Sequence, residues 1–378
     1  MKKCFLLSFF VLLCIAAKLS AATIYVNGNY TGSTEDGTSW ATPYKTLDAA
    51  IANAAPNDQI WVAKGTYLAP NDNYNSLQGF YINKNLSIYG SFGGDETSIF
   101  ERDLANDSTY LETYPDGSSG ITGSIINVDK NIMVTLDGFC FKNYSIAIDQ
   151  HYDALPNRTF SATPSDRFNI TLNNSVFYNG VMPLWFDYFG DVDVSNTVFR
   201  YTNGTIHFST SNVSPDDGST DARCNFKFTN SSFSGNIGPG FQSNRANLTF
   251  LKCHFFNNNA SSIWSSTSGD ITVTDCEFNN NSADMIAVIN HAQTGKVTIQ
   301  GCNFHDNGGY SIVQLRLVSI QELDIQNTIF NNSTNTIFST DAPVVNIDNV
   351  TVSNCNVSTI YAPVFSITGA YSKTNITN

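Results

Sequence analysis

The groups in this chain that could do chemistry are few, and they gather where its regular pattern is interrupted. Asp149, Asp187, His207 and Arg158 are the candidates for moving or holding a proton. Trp185, Tyr188, Trp264 and Phe338 are the rings that could stack on a flat ligand. Two carboxylates on neighbouring strands would serve as an acid and base pair at a glycosidic bond, their separation setting the stereochemistry. Rings along a shallow groove would stack on sugar faces while carboxylates accept hydrogen bonds from hydroxyls. Each residue also has a plainer role open to it. Asp149 and Asp187 read more simply as solvated turn carboxylates, His207 as a surface imidazole, and Trp185 and Phe338 as rings covered by loops or a partner.

Cysteine offers a second chemistry. Six cysteines follow the first 22 residues: Cys140, Cys224, Cys253, Cys276, Cys302 and Cys355. Cys253, Cys276 and Cys302 recur at one repeat position, which Ser175, Thr197, Ser231 and Thr328 fill elsewhere. Replacement by Ser or Thr points to a size requirement, so buried thiols packing as small hydrophobes are expected there. A disulfide would still be geometrically permitted between neighbouring copies. Zinc is disfavoured, since no CxxC pair or nearby His completes a ligand shell.

Positioning these groups falls to a repeat that is clearest in LTFLKCHFFNNNAS, ITVTDCEFNNNSA and VTIQGCNFHDNGG, between Leu248 and Asn307. Taking the aromatic of each copy as a ruler gives Phe141, Phe177, Phe199, Phe233, Phe255, Phe278, Phe304 and Phe330, then Val352. The steps are 36, 22, 34, 22, 23, 26, 26 and 22 residues. A period in the low twenties built from period-two runs is the mark of a solenoid. In ITVTDCEFN, Ile271 and Val273 face one way and Thr272 and Thr274 the other; Cys276 and Phe278 then resume the inward side. The interrupting column holds Asn174, Asn196, Asn230, Lys252, Asp275, Gly301, Asn327 and Asn349, dominated by residues that tolerate left-handed backbone. It predicts a tight bend between two strands. Like residues return at like positions one repeat later, so each strand should pair in parallel with its next copy.

A third strand follows each ruler aromatic by about eight residues. Three short strands per turn predict an all-β, right-handed single-stranded parallel β-helix. Cys253, Cys276, Cys302, Phe255, Phe278 and Phe304 should form its interior columns. Thr46–Ala54 carries Leu47, Ala50, Ile51 and Ala54 on one face with Thr46 as N-cap, predicting a short N-terminal capping helix. Gly93–Gly123 reads as loops. On the third strand Trp185, His207, Gln242, Trp264, Val313 and Phe338 are expected to point outward. The two long steps mark insertions, His151–Arg167 and Ser209–Arg223, leaving the same side of the stack two coils apart. The aromatic segment VMPLWFDYFGD lies between them, and the three together outline a cleft.

This pattern resembles the pectin-lyase-like superfamily. The opening ATIYVNGNYTGSTEDGTSWATPYKTLDAAIANAAPNDQIWVAKGTY, with FYINKNLSIYGSFGGDETSIFERD, is similar to secreted right-handed β-helix surface proteins related to the polymorphic outer-membrane proteins. The resemblance implies architecture and leaves activity open. The marks of its enzymes are missing. A polygalacturonase-like chain would carry an NTD segment, a paired DD, a GHG and an RIK, whereas Asp216 and Asp217 stand in an insertion without those companions. A pectate-lyase-like site would group calcium-binding Asp residues with an arginine base, which Arg158 and Arg167 beside Asp149, Asp153 and Asp166 only approximate.

Composition narrows the partners. Only 13% of residues are charged and the formal net charge is −13, which disfavours nucleic acid, whose phosphates need a Lys/Arg stripe. Residues 1–22 carry Lys2 and Lys3, an apolar run and a small-residue end, the form of a signal peptide, and no stretch is long enough for a membrane span. The expected organisation is then a single domain over 23–378, with a cap and irregular first coils over 23–130 and regular coils over 131–370. Many N-x-[ST] triplets would make a glycoprotein in a suitable host. No cofactor is required, although Ca²⁺ suits the acidic surface. The expectation is a secreted or cell-surface, non-catalytic adhesin-like or carbohydrate-binding scaffold for a polysaccharide or cell-surface glycan. A polysaccharide lyase or glycoside hydrolase is the first alternative. A structural coat or filament component, self-associating end to end or through its strand edges, is the second.

Overall fold

The computed structural model describes residues 21–70, 79–113, 124–150, 167–186, 189–204, 206–209, 224–237, 241–244, 246–265, 269–289, 295–308, 311–316, 320–333, 336–355, 365–367 and 373–377. Their strands stack into three long parallel sheets of 13, 11 and 11 strands, visited in the same order on every turn of a right-handed β-helix. The first sheet runs from Thr23–Val26 to Lys373–Thr377, the second from Gly65–Leu68 to Thr351–Ser353, and the third from Phe80–Ile82 to Phe365–Ile367. One coil shows the plan. Ile271–Thr274 lies in the first sheet, Glu277–Asn279 in the second and Ile286–Ile289 in the third.

The corner between the first two sheets is made by one residue in the left-handed region. Asn174, Asn196, Asn230, Lys252, Asp275, Gly301, Asn327 and Asn349 all have φ between 48° and 66°. Asn, Asp and Gly reach this region at little cost, whereas Lys252 does not. Immediately beyond the bend, Ser175, Thr197, Ser231, Cys253, Cys276, Cys302 and Thr328 turn inward and are almost fully buried. Their hydroxyls and thiols bond back to main-chain carbonyls, as in Thr197 Oγ1 to Ser195 O at 2.9 Å and Cys276 Sγ to Thr274 O at 3.2 Å. The six cysteines are free thiols, so the column is a ladder of small hydrogen-bonding groups.

Two residues later comes the ruler aromatic. From Phe141 to Phe330 the eight rings form one continuous stack, neighbouring centroids 4.5–5.0 Å apart and planes within 15°. Each is at most 4% exposed. Burial contributes roughly 1.5–3 kcal/mol per ring, and ring–ring contact about 1 kcal/mol more.

A second left-handed column closes the next corner, at Asn143, Asn179, Tyr201, Gly235, Asn257, Asn280, Asp306, Asn332 and Asn354. Immediately after it, Asn236, Asn258, Asn281 and Asn307 are 7%, 2%, 1% and 2% exposed and build an interior amide ladder. Nδ2 of each donates to Oδ1 of the next at 3.0 Å, and the same oxygens accept backbone N–H groups at 3.0–3.1 Å. Nδ2 of Asn258, Asn281 and Asn307 also donates to the carbonyls of Phe233, Phe255 and Phe278.

At the N-terminal end, α1 (Leu47–Asn53) buries Leu47, Ala50 and Ile51 against the first coils, with Thr46 as its N-cap. Lys84 Nζ donates to the carbonyls of Ile51 and Ala54 at 3.1 and 3.0 Å, meeting the negative end of the helix with a cation. Gly93–Gly123 is less loop-like than expected. A capped 3₁₀ turn, Ile99–Glu101, and a second-sheet strand, Thr109–Glu112, interrupt it, and Gly65–Leu68 is another strand the pattern concealed. Arg102 crosses from this segment to Asp137 at 3.2 Å, both side chains about nine-tenths buried.

Candidate functional site

The candidate residues fall along the outer row of the third sheet. Backbone register places Asp149 beside Trp185, then His207, Gln242, Trp264, Ala287, Gln314, Ser339 and Ser366 in successive coils. Trp185 faces out because its neighbours Leu184 and Phe186 face in, 0% and 1% exposed, and strand pleating alternates the sides. Its ring meets that of His207 with centroids 4.9 Å apart and planes at 46°. Asp149 is not the solvated turn carboxylate expected from sequence. It is 4% exposed, and its Oδ2 accepts from Ser124 Oγ at 2.6 Å. Asn127, 8% exposed, sits beside it one coil earlier.

Phe338 and Val313 correct the sequence reading more directly. Both were expected outside, and both are inside, 1% and 0% exposed, in register with Ile286 and Phe365. The turn between the second and third sheets varies in length by a residue or two among coils. In a period-two element a one-residue offset exchanges inside for outside. By register, Gln314 and Ser339 take the positions aligned with Trp185 instead.

Both insertions leave the same end of this sheet, one after Ile146–Gln150 and the other after Ile206–Ser209. Two coil steps separate these strands, about 10 Å. Arg158, Asp187 and Tyr188 lie outside the described residues, as does most of each insertion. For Trp264 the structure gives the register position. Arg167, expected near Asp149, pairs instead with Asp191 of the first sheet at 2.8 Å, and that carboxylate also accepts from Asn225 at 2.8 Å.

The buried thiols shift in pKa in both directions, and hydrogen bonds with Cys276 pull Cys253 and Cys302 down. Burial pushes Cys224 up to about 12. Hydrogen bonds from the flanking thiols, with burial, push Cys276 up as well. Among the described residues no three His, Cys, Asp or Glu side chains are grouped to hold a metal ion, and no helix is long and apolar enough to cross a membrane. One charged cluster had no sequence signal, because its members come from different coils of the second sheet. His305 lies 2.9 Å from Glu277 and 2.8 Å from Asp306, while His254 lies 3.6 Å from Glu277. Hydrogen bonds to Asp306 and then Glu277 raise the His305 pKa.

Comparison with known proteins agrees with this architecture. A family model for the right-handed β-helix region matches residues 160–319 and 220–378, more than half the chain taken together. No curated protein matches the sequence. Among solved structures, a lacto-N-biosidase from Eubacterium ramulus is similar at 12% identity and a TM-score of 0.50, over 94% of this chain and 68% of that one. A mannuronan C-5 epimerase A-module from Azotobacter vinelandii is similar at 13% identity and a TM-score of 0.49, over 91% and 100%. Identities this low concern the fold alone. With three parallel sheets, a stacked aromatic interior and the matched family model, the chain belongs to the right-handed β-helix family.

Proposed function

We propose that this protein is a secreted or cell-surface β-helix that binds a glycan along the outer row of its third sheet. The observation that carries the reading is the Trp185–His207 ring pair standing in register with the carboxylate of Asp149. This combination suits a sugar, because pyranose faces stack on rings while hydroxyls pair with polar side chains. The apolar run within residues 1–22 supports export. Binding to immobilised glycans should fall at least tenfold in Trp185→Ala, about 1.4 kcal/mol, with the melting temperature unchanged. Undiminished binding by that variant would remove the reading.

The burial of Asp149 favours a second reading, a polysaccharide lyase or glycoside hydrolase. A carboxyl group beside a stacking ring is an arrangement that acid–base cleavage of a glycosidic bond uses. Release of reducing ends or unsaturated products, abolished in Asp149→Asn, would support it. Binding without turnover would leave the scaffold reading in place.

A further inference from the structure

The eleven strands of the third sheet are nearly free of charge. Their sequences, from Phe80–Ile82 to Phe365–Ile367, contain Asp149 and Arg316 as the sole members of the Asp, Glu, Lys and Arg set. The first sheet, built by the same repeat, contains nine: Asp137, Asp191, Asp193, Lys227, Lys296, Glu322, Asp324, Asp348 and Lys373. The repeat therefore tolerates charge at outward positions, and the third sheet avoids it. The register positions of its outer row hold Trp185, His207, Gln242, Trp264, Gln314 and Ser339 instead. The one carboxylate is at the Trp185 end, and the one guanidinium belongs to Ser311–Arg316, five coils beyond Met182–Phe186 and about 24 Å along the axis.

We infer that the ligand of this row is an uncharged glycan, not a polyuronate or a sulfated one. The inference rests on the glycan-binding reading and narrows it. A polyanion carrying a charge on every sugar needs a cation for each few it lays down, as bidentate arginines or point-charge lysines supply. Here the third-sheet strands offer Arg316 as their one cation, on a chain whose formal net charge is −13, and repulsion would go uncompensated. An uncharged chain meets no such repulsion. Its ring faces lie on Trp185, and its hydroxyls exchange hydrogen bonds with the uncharged polar groups of the row.

The test compares uncharged oligosaccharides (cello-, xylo-, manno- and chito-hexaoses) with oligogalacturonate, oligomannuronate and a sulfated glycan, each with and without calcium. The full chain and its Trp185→Ala variant are titrated at low and high salt. The expected result is a neutral oligosaccharide bound at least tenfold more tightly than any anionic one. Raising salt should change that affinity by less than twofold, since no exposed charge pair is screened, and Trp185→Ala should lose it. Tighter binding of an anionic glycan, weakened by salt or dependent on calcium, would overturn the inference and leave glycan binding intact. Failure of the folded protein to bind either class would overturn the glycan reading itself, and this inference with it.

Discussion

Removing one rung of the interior amide ladder tests how the core is held. Asn258 is 2% exposed; its Oδ1 accepts from the Asn236 main chain and side chain, and its Nδ2 donates to Phe233 O and Asn281 Oδ1. The amide orientation is not arbitrary, because a flipped ring of contacts would set Oδ1 against the Phe233 carbonyl. Asn258→Leu keeps the volume and strands two donors and one acceptor in the interior. At about 1–3 kcal/mol for each unsatisfied group, and with some relaxation, the loss should be about 4 kcal/mol. Asn258→Ala should cost less, about 2–3 kcal/mol. The space it opens adjoins a cavity of about 10 Å³ lined by Asn236, Asn258 and Ser262, and a water admitted there would restore part of the bonding. Asn258→Asp preserves shape but turns an oxygen toward two acceptors. Its neutral form is then favoured on folding, so stability should fall as pH rises above the unfolded carboxyl value and recover as pH is lowered. Denaturant titration followed by strand circular dichroism, with hydrogen exchange at the Asn236 amide, would measure all three. A Leu variant as stable as the native chain, or an Asp variant indifferent to pH, would refute the ladder.

Four further outcomes follow from neighbouring columns. Lys252 holds φ 54° where other coils use Asn, Asp or Gly, so Lys252→Asn should stabilise by about 0.5–1 kcal/mol in thermal melts. Phe278 stacks on Phe255 and Phe304 at 4.6 and 4.5 Å, so Phe278→Ala should cost about 3–5 kcal/mol, whereas Cys276→Ser, which keeps a donor for the Thr274 carbonyl, should cost about 1 kcal/mol or less. His305 has a raised folded-state pKa through its bonds to Asp306 and Glu277. Its contribution is therefore full below the unfolded histidine value and lost as pH rises through the folded one. Native stability should decline slightly across that window, and His305→Gln should abolish the decline; an identical slope in the variant would count against the cluster.

Sequence alone determined the coil. Period-two runs, a left-handed residue at a fixed place and a recurring Phe repeat the same local instruction, and parallel stacking follows because each copy can bury its apolar face only on its neighbours. The bend column from Asn174 to Asn349, the Phe stack, the thiol ladder and α1 were all legible for that reason. Tertiary structure decided what local pattern leaves free. Asn-rich segments satisfy both an exposed turn and a buried ladder, and only the approach of the next coil puts Asn258 inside with a partner on either side. Val313 and Phe338 went inward because the preceding corner differs by a residue or two, a shift that period-two patterning cannot see. Asp149 became a buried carboxylate when Ser124 of the preceding coil came to face it. For Asn258 and Asp149 the deciding contact is one coil away, 22 to 25 residues along the chain, where strand pairing sets the distance and sequence neighbours do not.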